Sequence, residues 1–110
     1  MSMYETIGQI SDWIDQRLAV VYPGQPVAQD WSRVAKCGEE AGEAIAALIG
    51  RNGENPRKGV ICTTEDVLAE LADVAVAAIG AIQHFTGDAG VTQGIVEKKV
   101  EYIAARAGLR

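Results

Sequence analysis

Histidine and cysteine are scarce in this chain, with one His and two Cys among 110 residues. That excludes a zinc site built on imidazole and thiolate, since His84 stands alone and neither Cys37 nor Cys62 belongs to a C-x-x-C unit. Two cysteines are also too few for a disulfide framework, so both are expected as thiols in a cytosolic protein. Basic residues are outnumbered, 10 against 15 acids, giving a formal net charge of −5 and a pI near 4.8. Without a basic stripe, a grip on the phosphates of DNA or RNA is not expected. No basic region followed by a hydrophobic run opens the chain, where Glu5 and Asp12 interrupt the apolar residues, so no signal peptide is read. The richest apolar stretch, Val74 to Ile82, is Ala-rich and too short to span a bilayer. A soluble, cytoplasmic protein without a membrane partner is the expectation.

Alternation of the β type is missing as well, and helical spacing fills the space it leaves. Ser2-Met3-Tyr4-Glu5 has the form of a capping box, and Ile7, Ile10, Ile14, Leu18 and Val21 then repeat on one face, predicting a helix over about 3–21. Two prolines and a glycine in Tyr22 to Pro26 end it. A second helix begins near Val27 to Asp30, carries Val34, Ala41, Ile45 and Leu48, and stops at Gly50. A third starts at Thr63 or Thr64 and extends through Val67, Leu71, Val74, Ala78 and Ile82 to His84 or Phe85. The fourth runs from about Val91 to Ala107. At 110 residues the chain reads as a single all-α domain, a four-helix bundle-type fold over 1–110.

Carboxylates are concentrated on two of these helices. Glu39, Glu40 and Glu43 lie on little more than one turn, and Glu70 and Asp73 sit three apart on the next helix. The five together equal the net charge of the chain. Like charges at such spacings repel, by a few tenths of a kcal/mol per pair on an isolated helix. Laid side by side, the two helices would bring four or five carboxylates together among Val34, Ala41, Ile45, Leu48, Val67, Leu71, Val74 and Ala78, which read as core. Hard oxygen ligands from two facing helices are what a magnesium or manganese ion requires. Gly38 and Gly42 flank the acids on one face and leave room for close approach of a backbone or a ligand. Between the two helices, Arg51 to Gly59 is irregular and basic, and its backbone N–H groups and side chains are placed to wrap an anion.

The order Glu39-Glu40-x-x-Glu43, then 26 residues, then Glu70-x-x-Asp73 resembles the paired helical motifs of the MazG-like nucleotide pyrophosphohydrolases, in the all-α NTP pyrophosphatase superfamily. The likeness extends from about Trp31 to Arg106, and the Asn55-Pro56-Arg57-Lys58-Gly59 loop is similar to that of a bacterial and phage subgroup. Ile103 stands where the family often has Asn. The resemblance implies a MazG-like fold assembled as a homo-dimer or homo-tetramer. It also implies magnesium-dependent hydrolysis of a nucleoside triphosphate between the α and β phosphates, giving a monophosphate and pyrophosphate, with nucleotide-pool housekeeping as the implied role. Catalytic residues would be Glu39, Glu40, Glu43, Glu70 and Asp73, with Glu40, Glu43, Glu70 and Asp73 holding the metal. Glu39 either completes the metal shell or orients the attacking water.

Lys36, one turn before Glu40, can balance the acids or touch a phosphate. Lys99 and Arg106, seven apart on the fourth helix, can reach a triphosphate tail, as can Arg57 and Lys58. Trp31 lies nine residues before Glu40, roughly 13 Å along a helix, a distance suited to stacking on a base. Trp13 is assigned to core or interface. His84, roughly 16 Å beyond Asp73 along a helix, is read as structural. Two other readings remain open: a related pyrophosphatase of the phosphoribosyl-ATP or dCTP type, and a non-catalytic helical assembly or regulatory module.

Overall fold

The computed structural model describes residues 1–110, which form four helices and no strand: α1 (Met3–Val21), α2 (Pro26–Asn52), α3 (Thr64–Thr86) and α4 (Ala89–Arg106). Local chemistry explains each boundary. The Ser2 hydroxyl accepts from Glu5 N–H at 3.1 Å while Glu5 Oε2 accepts from Ser2 N–H at 3.0 Å, closing the capping box that starts α1. Thr63 and Asp66 make the same reciprocal pair before α3, at 3.2 and 2.8 Å. Asp88 caps α4 through Val91 N–H, two residues before the spacing of the apolar side chains predicts that helix. At the end of α2, Gly53 takes φ +65 and Glu54 N–H reaches back to Ile49 O at 3.1 Å, the turn that favours glycine.

The chain divides into two compact units, one of Met1–Gln25 with Ile79–Arg110, the other of Pro26–Ala78. In the first, α1 packs on α4 and meets the end of α3 through small and polar residues. A Cβ on Gly8 would stand 3.5 Å from Gln83 Nε2, and Ser11, almost wholly buried, donates to Gly80 O at 3.4 Å. Buried Thr92 donates to Gln83 Oε1 at 2.7 Å and lies 2.7 Å from the Thr86 hydroxyl, so hydrogen bonds offset the burial of these groups. His84 Nδ1 is 2.8 Å from Asp15 Oδ1.

In the second unit, Arg51 Nε donates to Thr64 Oγ1 at 2.9 Å and Ile61 N–H to Gly50 O at 2.9 Å, pinning the end of α2 to the start of α3. The residues expected as core are placed otherwise here. Val34, Ile45, Leu48 and Leu71 are exposed, and Ala41, Val67, Val74 and Ala78 only half-buried. On α2 the buried positions are Arg33, Ala44, Ala47 and Gly50, so small residues occupy its inner face while its large apolar ones are exposed. Trp13 is likewise no core residue, being 71% exposed. By length and composition alone, α3 is apolar enough to cross a membrane, although only Val74 to Ile82 stands out in the sequence.

Gly50 makes the packing in the second unit testable. An added Cβ would stand 2.8 Å from Cys62 Sγ and 3.0 Å from Ile61 Cγ1, whereas at Gly94 in α4 nothing lies within 4 Å. Gly50→Ala should therefore lose about 1–2 kcal/mol in urea unfolding, overpacking outweighing the helix preference of Ala. Gly94→Ala should gain up to about 1 kcal/mol.

Candidate metal centre

Glu40 and Glu43 project from α2 and Glu70 from α3, with one carboxylate oxygen of each within 4.8 Å of the others. The helical repeat puts Glu40 and Glu43 nearly one above the other, and the Arg51–Thr64 and Gly50–Ile61 bonds bring α3 alongside. Glu40 and Glu70 are half-buried and Glu43 is exposed. Glu40 Oε2 and Glu70 Oε2 are buried and accept no hydrogen bond within the protein. A buried carboxylate oxygen without a donor is costly, and a cation or donors from outside the chain could satisfy these two.

Lys36 supplies part of the opposing charge. Its Nζ lies 3.1 Å from Glu39 Oε1 and 3.2 Å from Glu40 Oε1. The bond from Glu39 first, then that from Glu40, raises the ammonium pKa above its ordinary value. On the other side of the cluster the Glu40 charge, with smaller effects from desolvation and from Glu70 and Glu39, pushes the Glu43 carboxyl up.

The remaining residues singled out in the sequence are placed more loosely. Glu39 is exposed and turned to Lys36, and Asp73, also exposed, lies outside the trio. Gly38 and Gly42 face open space, with nothing within 4 Å of an added Cβ. In the connection, Asn55 Oδ1 accepts from Arg57 N–H at 3.0 Å, and Asn55 O from Lys58 and Gly59 N–H at 3.2 and 2.9 Å. These three donors are engaged, and it is the exposed side chains of Arg57 and Lys58 that remain for an anion. Trp31 is 71% exposed on α2. Lys99 and Arg106 lie over the Tyr102 ring, 5.4 and 5.6 Å from its centroid, in the unit that contains α4. Tyr102 escaped the sequence reading, although its place three after Lys99 and four before Arg106 puts all three on one face.

Comparison of the chain with protein-family models, curated proteins and solved structures finds no match.

The raised Glu43 pKa has a sign that can be checked. The metal-free fold binds the Glu43 proton more tightly than the unfolded chain does. That stabilisation is present below the ordinary value of 4.5 and is lost as pH rises through the raised one. In metal-free buffer Glu43→Gln should melt at the same temperature as the wild type or higher at neutral pH, with this part of its pH profile flattened. A lower melting temperature at neutral pH would show that the carboxylate makes a stabilising contact instead.

Proposed function

We propose that this chain is a MazG-like nucleotide pyrophosphohydrolase, one all-α domain over 1–110. It would hydrolyse a nucleoside triphosphate, ribo or deoxy, between the α and β phosphates to the monophosphate and pyrophosphate. The observation that carries the reading is the convergence of Glu40, Glu43 and Glu70, with two buried oxygens that have no donor in the chain. An all-oxygen, acid-rich donor set of this kind suits magnesium, with manganese as a substitute, and not zinc.

Glu40, Glu43 and Glu70 would hold the ion, with Asp73, one turn along α3, as a fourth ligand. When bound, such an ion neutralises phosphate oxygens and lowers the pKa of a coordinated water. Glu39, next to Glu40 in the chain, would join the metal shell or orient that water and take its proton. Lys36, now bridging Glu39 and Glu40, would balance their charge when the site is empty and offer Nζ to a phosphate when it is filled. Arg57, Lys58, Lys99 and Arg106 are exposed cations suited to the triphosphate, and the open Trp31 ring to the base. Work in the cytoplasm, where nucleotides are pooled, accords with this chemistry.

The reading includes a second copy of the chain. Val27, Trp31, Val34, Ile45, Leu48 and Ile49 form one apolar side of α2 and are all exposed, between 40% and 71%. A stripe of that length on a single helix is more than a monomer ordinarily leaves to water. The same exposure favours the second reading, a helical module that assembles without turnover.

Incubation with the common NTPs and dNTPs, with magnesium or with EDTA, tests the function. Monophosphate and pyrophosphate are expected with magnesium, none with EDTA, and a loss of at least 100-fold in Glu43→Gln, about 2.7 kcal/mol of transition-state stabilisation. Magnesium should also raise the melting temperature of the wild type much more than that of Glu43→Gln. Diphosphate and phosphate would mean that the cleaved bond is another one. No turnover of any nucleotide would leave the assembly module as the better account.

A further inference from the structure

We propose that α1 carries a homotypic docking seam, along which a second copy of the chain pairs as an antiparallel helix. The apolar residues of α1 fall into two stripes. Ile7 and Leu18, beside Ser11, are buried or half-buried. Met3, Ile10, Trp13 and Val20 are not, at 59%, 39%, 71% and 69% exposed. Met3, Thr6, Ile10, Trp13, Arg17 and Val20 follow one another at alternating steps of three and four, the a and d positions of a heptad repeat. Such a repeat turns a single seam of the helix toward a partner helix.

Charge and symmetry select the partner. The seam is flanked by Gln9, Ile14, Gln16 and Val21, while Glu5, Asp12 and Asp15 lie off it. In a chain of net charge −5, the one charged residue on the seam is Arg17. Ile10 and Trp13 stand as far before residue 15 as Val20 and Arg17 stand after it. In an antiparallel pair related by a two-fold axis, Ile10 then meets the partner's Val20, and Trp13 meets the partner's Arg17. The result is two cation–π layers bounded by two apolar ones. A parallel pair would set Arg17 against its own copy, like charges facing in an apolar seam.

The area sets the role of this contact. Four side chains of one helix cover roughly half of the about 800 Å² per partner that a stable complex of standard size buries. It is therefore strongest where a second contact, such as the α2 contact proposed above, already joins the copies. Copies already joined there meet again at high effective concentration, and the α1 seam would join dimers into a tetramer. The register of the seam does not depend on that contact.

Sedimentation equilibrium of the full chain tests the seam, with far-UV circular dichroism to confirm that each variant keeps its helices. Trp13→Arg sets two cations face to face in the antiparallel register and should halve the assembled mass. Adding Arg17→Glu sets an anion against each new cation in the antiparallel register and should restore it, whereas a parallel pair would then face like charges in both layers. An unchanged mass in Trp13→Arg, or no recovery in the double variant, overturns the seam, as does a Trp13→Arg effect on binding to phosphatidylcholine vesicles with none on mass. Ile45→Glu separates the two readings. If it leaves the mass unchanged while Trp13→Arg lowers it, the α2 contact fails and the seam stands. If Ile45→Glu lowers the mass and Trp13→Arg does not, the seam fails and the α2 contact stands.

Discussion

Three carboxylates with oxygens within 4.8 Å of one another repel, and a proton or a nearby cation relieves that repulsion. Glu40, Glu43 and Glu70 are held there by backbone geometry: two by the helical repeat of α2, the third by the bonds that fix the start of α3 against the end of α2. The protein meets this constraint in part, through Lys36 on one side and the raised affinity of Glu43 for a proton on the other. Neither reaches the two buried oxygens without donors. What remains is two carboxylate oxygens without a partner at a fixed point, and the proposed chemistry begins there. A cation that satisfied them would also be in position to attract a polyphosphate, so folding strain and function would share a cause.

The helices were legible because their signals are local. Ser2 with Glu5, and Thr63 with Asp66, state where α1 and α3 begin, and the structure places both caps where the sequence puts them. The carboxylate pattern was legible for the same reason, since spacing on a helix fixes relative direction. Burial was not legible. On α2 the repeat marks two candidate inner faces, one of Val34, Ile45 and Leu48 and one of Ala44, Ala47 and Gly50. Hydrophobicity favours the first. The chain buries the second, with Gly50 close against Ile61 and Cys62, and periodicity carries no information about which face a neighbour occupies. The loop at Asn55 shows the other limit. Its composition suggests free N–H donors, but one Asn side chain and carbonyl engage three of them.

The two units solve the problem of a small core differently. Around α1, the end of α3 and α4, the buried set is largely polar: Ser11, Gln83 and Thr92, each hydrogen-bonded and lined by Gly8, Gly80 and Ala81. Such a network contributes little net stability per bond but specifies geometry, because a shift of one helix would leave a buried donor or acceptor unmatched. Around α2 and the start of α3, the buried apolar residues are Ala44 and Ala47, with carboxylates close by.

Ile7, Ala44, Ala47 and Ala81 are the buried apolar residues of the chain. Burying an Ile contributes about 1.5–3 kcal/mol and an Ala methyl less, while ordering each residue costs about 1–2 kcal/mol of backbone entropy. A chain of 110 residues usually offsets that cost with large side chains inside, and here Trp13, Trp31, Ile45, Leu48 and Leu71 are outside. Trp13 on α1 and Trp31, Ile45 and Leu48 on α2 follow the helical repeat, so their exposure is patterned. Stability drawn from covering such stripes depends on concentration, which couples the fold to assembly. On the proposed reading the carboxylate helices would then be held most firmly in the assembled protein, and the metal site would inherit its rigidity from contacts between copies.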